Sequence, residues 1–547
     1  MEELSSKEHL SCYRNLCKQL GTELSTRDER AILDGLRLNR EADAMYALDT
    51  ATLVDEFFCF MGELGLFPIL ESIHPEGQQR KMIELLPMLL LYILKSLSGI
   101  RGLDAMPELL FANQGLMRLV GFNGKMLKDG ACRRGEHARK GNKRSIPLCP
   151  DTIRNNLVRI CVEDIIGLFN SVVSALAEFG VYARKVSAYV DASPIVTSAK
   201  AKDAGRITQH KKVTTNKGEV REFEVSVYGW KFTSLWDAKS GLPLAVTVGK
   251  IQEADGIFLL KTIRQAQKNL QASGSQLVEV GVDGGYLDGA DLYELDQMGL
   301  RWIIRGKTTQ LAVREAVELA KVGRGLPVGE RQQTLKHGSG RNAREEKLDT
   351  RVVGVPDLES FVTYGPSGGS PSAANRRDFV GNTVNAVVVE RWKGKTPKEA
   401  EVYLTNASVD KPLQIADWYD ERSEIENRHH REVKQSCHLE HLLQKSEAGA
   451  YVHVYLVLAT YALSRAFRTW RWKQEDSESK GPGSSLESFR RKVRADNFNL
   501  VIVFDGPHYG IFDLADLAAV LSGVGLREQA VTRTWEELYM KYTGQPP

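Results

Sequence analysis

Through the first third of the chain, apolar residues recur at spacings of three and four, as in Leu85–Leu97 and Met106–Leu119, and no alternating stretch interrupts them. That period lays one stripe of an α-helix against a core, so residues 1–184 are predicted to be helical. Within them Gly124–Ser145 is poor in apolar positions and reads as an exposed loop. Pro150 and Asp151 then supply a helix start. From Lys185 the period changes. The runs VSAYVDA, FEVSVYGWKFTSLWD and LPLAVTVGK predict three strands in an antiparallel meander, with Ser240 and Gly241 turning between the last two. A helix over Glu253–Ala272, a strand ending at Asp283, a short helix near Leu287–Gln297 and the strand LRWIIRG complete the series.

Three strands, a crossover helix, a strand, a helix and a strand is the order of a ribonuclease H-like α/β core. The predicted core occupies 185–306 and resumes at VYLTNAS, covering 401–473. Between its two parts, 307–400 holds one helical stretch, Leu311–Ala320, several short strand-like pieces and the run GPSGGSPSAANRR, which together predict a mainly β insertion with a mobile loop. A polar linker, Gln474–Ser485, opens a tail over 474–547, read as a small α/β cap with the strand LVIVFDG and the helix FDLADLAAVL.

Composition leaves the class open. The chain has 547 residues, 42% apolar and 26% charged, with a formal net charge of +3, as expected of a globular protein of several domains. Basic residues concentrate at Lys125–Arg144 and Lys200–Arg221, both read as loops, the second including Lys211 and Lys212. Seven cysteines without CxxC pairs argue against a disulfide framework and fit a reducing, cytoplasmic setting. The acidic, polar opening MEELSSKEHL is unlike a secretory leader. The longest apolar stretch, Leu85–Leu94, is about half the roughly 20 residues that span a bilayer, so it is read as a core helix and no membrane partner is expected.

Three acids carry the candidate chemistry. Asp191 and Asp283 follow the apolar runs Val186–Val190 and Leu277–Val282, so each carboxylate is expected at the rim of a buried strand. Glu426 lies in the segment YDERSEIENRHHREVKQ with Tyr419 and Arg422 seven and four positions before it. Seven helical steps return to within about 20° of the starting direction, so one face is expected to present a hydroxyl, a guanidinium and a carboxylate. Carboxylates clamp hard cations, and two Mg2+ ions, with Mn2+ as a substitute, would stabilise both oxygens of an in-line phosphodiester displacement. Asp191 is the candidate bridge, with Asp283 on one ion and Glu426 on the other. The bland alternatives are turn or capping aspartates and an ordinary Arg422–Glu426 ion pair on an exposed helix.

With these residues in view, the chain resembles the DDE transposases of bacterial insertion sequences, the ribonuclease H-like group with a Tyr-x2-Arg-x3-Glu helix, matched by Tyr419, Arg422 and Glu426. AYVDAS resembles the first-aspartate strand, VGVDGGYLDG the second-aspartate segment, WIIRGK the next strand and VYLTNAS the strand before the glutamate helix. The resemblance implies a mainly β insertion between the second aspartate and the glutamate, and contact of Tyr419 and Arg422 with transposon-end DNA near the scissile phosphate. Arg305 is a further candidate phosphate contact. The group commonly has a lysine seven positions after the glutamate. Here Val433 stands there, and Lys434, the candidate equivalent, follows one later, turned by about 80°.

The expected activity is therefore metal-dependent cutting of double-stranded transposon ends and joining of the freed 3′-hydroxyls to target DNA, with a homodimer in the synaptic complex. Two alternatives stand beside it, a structure-selective nuclease of the same fold and a non-catalytic DNA-binding descendant. A zinc reading of His429, His430, Cys437, His438 and His441 is disfavoured because it lacks the usual paired spacing. Glu253 and Asp255 are candidates for the vicinity of the site, without a metal role implied. Trp230, Trp236 and Trp302 are read as core or rim aromatics, with base stacking the rarer possibility.

Overall fold

The computed structural model describes residues 26–546 apart from 40, 49–50, 78–82, 112–113, 123–125, 127–147, 202, 215–219, 338–343, 366–382, 394–395, 398, 425–428, 475–485, 487–489, 491–499, 514–515 and 518–534. The basic stretch Lys125–Arg144, apart from Met126, the run after Gly365 and the linker from 475 thus lie outside the described residues, as does Glu426. Two compact units divide the chain, one made of Met1–Leu176 with Glu432–Pro547 and the other of Ala177–Arg431.

The first unit begins with β1 (Thr26–Arg27), α1 (Glu29–Asn39), β2 (Ala44–Leu48), α2 (Ala51–Glu63), α3 (Leu66–Ser72), α4 (Leu85–Leu97), α5 (Gln114–Leu119) and α6 (Pro150–Leu157), after which α7 (Val162–Glu178) leads into the second. Helices dominate as predicted, and α4 is the core helix that its sequence suggested. All its residues are buried, which is why its apolar residues run right round rather than along one stripe.

The second unit contains β3 (Lys185–Thr197), β4 (Gly205–Thr214), β5 (Val220–Asp237), β6 (Pro243–Lys250), α8 (Gly256–Gln271), β7 (Gln276–Val282), α9 (Gly289–Gln297), β8 (Arg301–Arg305), α10 (Leu311–Val322), β9 (Val328–His337), β10 (Arg344–Leu358), β11 (Val384–Lys393), β12 (Thr396–Pro397), β13 (Glu401–Thr405), α11 (Pro412–Asp420) and α12 (Arg422–Glu424). One mixed sheet organises it in the order β4-β5-β3-β7-β8-β13-β11-β10-β9, with β6 on β5 and β12 on β11. β3, β7 and β8 run parallel, β3 being followed by β4, β5, β6 and α8 before β7, and β7 by α9 before β8, and the other pairings are antiparallel. Helix α8 packs on β5, β6 and β7 through Phe258, Leu259, Ile263, Ala266 and Leu270. Each such fully buried aliphatic or aromatic side chain contributes about 1.5–3 kcal/mol. On β8, β10, β11 and β13, Ile303, Val352, Val387 and Tyr403 pack with Ala416 and Tyr419 of α11, which seats that helix on the sheet.

Three expectations change here. Within Lys200–Arg221, expected as a loop, Gly205–Thr214 form β4 and pair with the first half of β5, with Gly205 opposite Gly229 and Thr214 opposite Val220. The strand through Asp191 does not end there but runs on to Thr197 against β5. The strands expected as a separate insertion extend the same sheet, because β13 pairs with β8 on one edge and β11 on the other. Tyr419 on α11 and Arg422 on α12 are linked through Glu421, whose backbone is right-handed helical and whose N–H reaches the Asp417 carbonyl, while Glu426, expected on the same helix, lies outside the described residues.

After the second unit the chain returns to the first through α13 (Glu447–Gln474), β14 (Leu500–Asp505), β15 (His508–Asp513) and α14 (Trp535–Thr543). β14 and β15 lie between β1 and β2 in a four-stranded sheet of order β1-β15-β14-β2. Residues 1–184 therefore contribute strands, and the tail pairs with them instead of forming a cap of its own. Ile32, Leu33 and Leu36 of α1 bury against Val501, Val503 and Phe512 of this sheet.

Helix α13 packs on α4. At that contact His453 is fully buried, its Nε2 donating to the Leu439 carbonyl at 2.9 Å and its Nδ1 accepting from the Tyr92 hydroxyl at 2.5 Å. Burial pushes its pKa down from 6.5 to about 3, with nearby Lys95 acting in the same direction. Between those two values the unfolded chain binds the extra proton and the folded chain does not. Stability should consequently fall as pH drops from 6.5 toward 3, by about 2–3 kcal/mol at pH 4.5. Urea unfolding at pH 7 and 4.5 checks this. A His453→Asn chain should show a smaller loss, and an equal loss in both chains would exclude His453 as the cause.

Candidate active site

Asp191 and Asp283 owe their meeting to the parallel pairing of β3 with β7. The register ends with Val190 opposite Val282, so the next residue on each strand is an aspartate in the same phase of the pleat. The rim predicted from sequence is the rim of this parallel pairing. Asp191 stays within β3, opposite Ser234, and its Oδ1 accepts the Ala192 N–H at 3.0 Å. Asp283 leaves the sheet and caps the 3-10 turn Gly284–Tyr286, accepting the Gly285 N–H at 3.4 Å. That turn lies tight on β8, since a Cβ on Gly284 would stand 3.0 Å from the Arg305 carbonyl oxygen.

A single guanidinium faces both carboxylates. Arg422 Nη2 lies 3.4 Å from Asp283 Oδ1, and Nη1 lies 4.0 Å from Asp191 Oδ1. Burial opposes its charge, but Tyr419, Asp283 and Asp191 outweigh that and raise its pKa above the ordinary value. The segment bearing Arg422 is fixed from two sides. Tyr189 of β3 lays its ring where a Cβ on Gly281 would be, and its hydroxyl reaches the Trp418 carbonyl at 2.7 Å and Glu421 Oε2 at 3.0 Å. Arg391 of β11 grips both carboxylate oxygens of Asp420, at 2.9 and 2.7 Å.

Tyr419 stacks on Tyr403 with ring centroids 4.1 Å apart, and the Arg422 guanidinium carbon lies 5.5 Å from the Tyr419 ring centre. The Tyr419 hydroxyl and Arg422 Nε are both buried without a hydrogen bond of sound geometry, despite their closeness. Burial pushes the Tyr419 phenol up to about 12, moderated by Arg422. Two buried polar atoms beside two carboxylates leave hydrogen-bonding capacity for a bound group.

Arg305 borders the site from β8, its carbonyl against the Gly284 turn, while its exposed guanidinium pairs with Glu401 Oε1 at 2.9 Å. Lys211 and Lys212 lie on β4 opposite Phe223 and Glu222, their side chains being outside the described atoms. Lys434 belongs to the first unit, 3.9 Å from Glu440, and Val433, at the position of the expected lysine, is fully buried. The five zinc candidates do not form a site: among the described residues no three His, Cys, Asp or Glu side chains are grouped to hold a metal ion. His438 instead binds the Gly99 carbonyl, His441 accepts from Arg101, and Cys437 meets Arg490. Trp230, Trp236 and Trp302 are fully buried, as core aromatics.

Two further groups border the site. His430 Nδ1 lies 3.1 Å from Asp191 Oδ2, a contact that spacing did not reveal because its supports come from β5. Asp255 was a candidate for this vicinity and is found there. Its Oδ2 and that of Asp283 stand 3.4 and 3.7 Å from the place of a Gly285 Cβ, and its other oxygen pairs with buried Lys231.

Paired aspartates, each the next residue after the paired stretch of two adjacent parallel strands, face one arginine and form an acidic site on a mixed sheet. The family model described as "Transposase DDE domain" matches residues 188–463, about half of the chain, and the chain belongs to that family. Members of this family generally use divalent metal ions. No curated protein matches the sequence. Among solved structures, the piggyBac transposase synaptic complex with hairpin DNA matches at 12% identity, over 80% of this chain and 79% of that one, with a TM-score of 0.35. No described helix is long and apolar enough to cross a membrane.

Proposed function

We propose that the protein is a DNA transposase of the insertion-sequence type, which binds its element's ends, cuts phosphodiester bonds with two divalent ions and joins the freed 3′-hydroxyls to target DNA. The observation that carries this is the convergence of Asp191 and Asp283 on Arg422. Support for a ribonuclease H-like core comes from the run β6-β5-β3-β7-β8, with a meander on one side of β3 and parallel strands on the other. A catalytic core over 185–306 and 401–473, extended by 307–400, fits this reading. The amino-terminal 1–184 would then serve DNA binding.

The donor set suits hard cations, because carboxylate oxygens match Mg2+ and the residual hydrogen-bonding capacity beside them is polar. Asp191, Asp283 and Glu426 would hold two ions, which when bound neutralise charge on the phosphate oxygens and activate the attacking hydroxyl. Arg422, fixed by its neighbours, orients a phosphate with a two-pronged donor. Tyr419 offers its unsatisfied hydroxyl to the same strand. Arg305, Lys211, Lys212 and Lys434 would grip DNA phosphates, giving an affinity that falls with salt. Two ends brought together imply a homodimer in the synaptic complex.

Sequencing the DNA that flanks the coding region supplies the substrate, since inverted repeats mark the ends. Incubating the full chain with labelled end DNA, a target plasmid and Mg2+ should give nicked ends and joined products, neither appearing with chelator. Cleavage without joining would instead indicate a structure-selective nuclease, and binding without any metal-dependent cleavage a non-catalytic descendant.

A further inference from the structure

The Trp236 indole N–H can only donate, and it lies 2.7 Å from Ser234 Oγ. The serine oxygen therefore accepts that bond and has one proton left to give. His430 Nε2, 3.2 Å away, is nearer than the Asp191 carbonyl at 3.5 Å, the latter at the limit of a hydrogen bond. If Nε2 accepts, the imidazole carries its proton on Nδ1, which faces Asp191 Oδ2 at 3.1 Å. Every donor and acceptor in the series is then used once, running Trp236 to Ser234 to His430 to Asp191.

The imidazole has little room to leave this arrangement. Trp236 and Ser234 are fully buried and His430 nearly so, with Phe232 and Trp236 rings set edgewise 5.5 and 5.6 Å from it. Asp191 Oδ2 is thus committed to His430, while Oδ1 takes the Ala192 N–H and faces Arg422. Which carboxylate oxygen faces Arg422 is decided by this chain of bonds.

We infer that His430 is a positioning residue for Asp191, locked in its tautomer by Ser234 and Trp236. It does not touch DNA in this role. The inference rests on the reading of Asp191 as a ligand of divalent ions. It follows the general pattern in which a donor behind a ligating carboxylate sets the ligand's orientation, and loss of such a partner commonly costs about 10–100-fold in metal affinity or activity.

Binding of Mn2+ alone to the full chain, read by electron paramagnetic resonance of the free ion, tests this with Asp191→Asn, His430→Leu, His430→Asn and Ser234→Ala variants. Asp191→Asn should weaken binding most. His430→Leu should weaken it by about 10–100-fold, and Ser234→Ala, which leaves the imidazole in place, should act in the same direction by a smaller factor. His430→Asn puts an amide N–H near the place of Nδ1 and should restore much of the affinity. Thermal unfolding identifies any variant that fails to fold, in which case Ser234→Ala carries the decision. If Asp191→Asn weakens Mn2+ binding while His430→Leu and Ser234→Ala bind as the wild type does, His430 has no positioning role. If the wild type binds no Mn2+, or Asp191→Asn leaves binding unchanged, the ligand reading of Asp191 falls and the inference falls with it.

Discussion

Asp191→Asn and Asp283→Asn should each reduce metal-dependent cleavage of end DNA by about 10²–10³-fold or more, equivalent to about 3–4 kcal/mol of transition-state stabilisation. Asparagine keeps the shape of aspartate, so folding should survive, but it removes the charge that holds a cation and balances Arg422. The two positions are not structurally equal. Asp283 sits in a turn and is more open to solvent, whereas the Asp191 side chain is largely enclosed beside His430. Asp191→Asn should therefore perturb its neighbours more, and its thermal midpoint should move further than that of Asp283→Asn. End binding in the absence of metal should persist in both, because the proposed phosphate contacts lie on other residues. Gel-shift and cleavage assays on the same preparations separate the two effects. Wild-type cleavage rates in both variants would remove these aspartates from the chemistry.

Arg490→Leu should destabilise the first unit by about 2–5 kcal/mol. The guanidinium is buried at the end of α4, donating to the Ser96 carbonyl at 2.7 Å, the Leu97 carbonyl at 3.1 Å, the Ser436 carbonyl and Cys437 Sγ at 3.4 Å. The last carbonyls of a helix have no partners within it and carry its negative dipole end, so a cation there satisfies both needs. Leucine would leave the Leu97 and Ser436 carbonyls without this donor, each at about 1–3 kcal/mol, while Ser96 keeps the Gly99 N–H at 3.1 Å. Arg490→Lys should recover only part of the loss, since one ammonium cannot reproduce the spread of the fork. Differential scanning calorimetry reads the outcome. An unchanged transition in Arg490→Leu would show that the carbonyls find other partners.

The strands that set the acidic pair were legible because Val186, Ala188, Tyr189, Val190, Leu277, Val280 and Val282 are buried, which leaves two mainly apolar runs, interrupted by half-buried Ser187 and Glu279, that lead to the aspartates. β4 was hidden for the opposite reason: Arg206, Thr208, Gln209 and His210 are exposed, so no alternation marks it as a strand. The sheet joining the two ends of the chain was equally obscure, since β1 has two residues and its partner β15 begins at His508. His430 drew notice only as part of a histidine cluster. Its support from Ser234, 196 positions earlier, depends on β5 lying beside β3, which becomes visible only once strand register is known.

The sheet of order β1-β15-β14-β2 has a temporal consequence. A ribosome delivers all of Ala177–Arg431 before it reaches Leu500, so the second unit has its whole sequence available while the first still lacks two inner strands. Until those strands emerge, β1 and β2 have no neighbour and α1 has an uncovered apolar face. Nascent chains halted before Leu500 should thus be sticky at their amino-terminal end and sought by chaperones, even though their acidic centre has already been made.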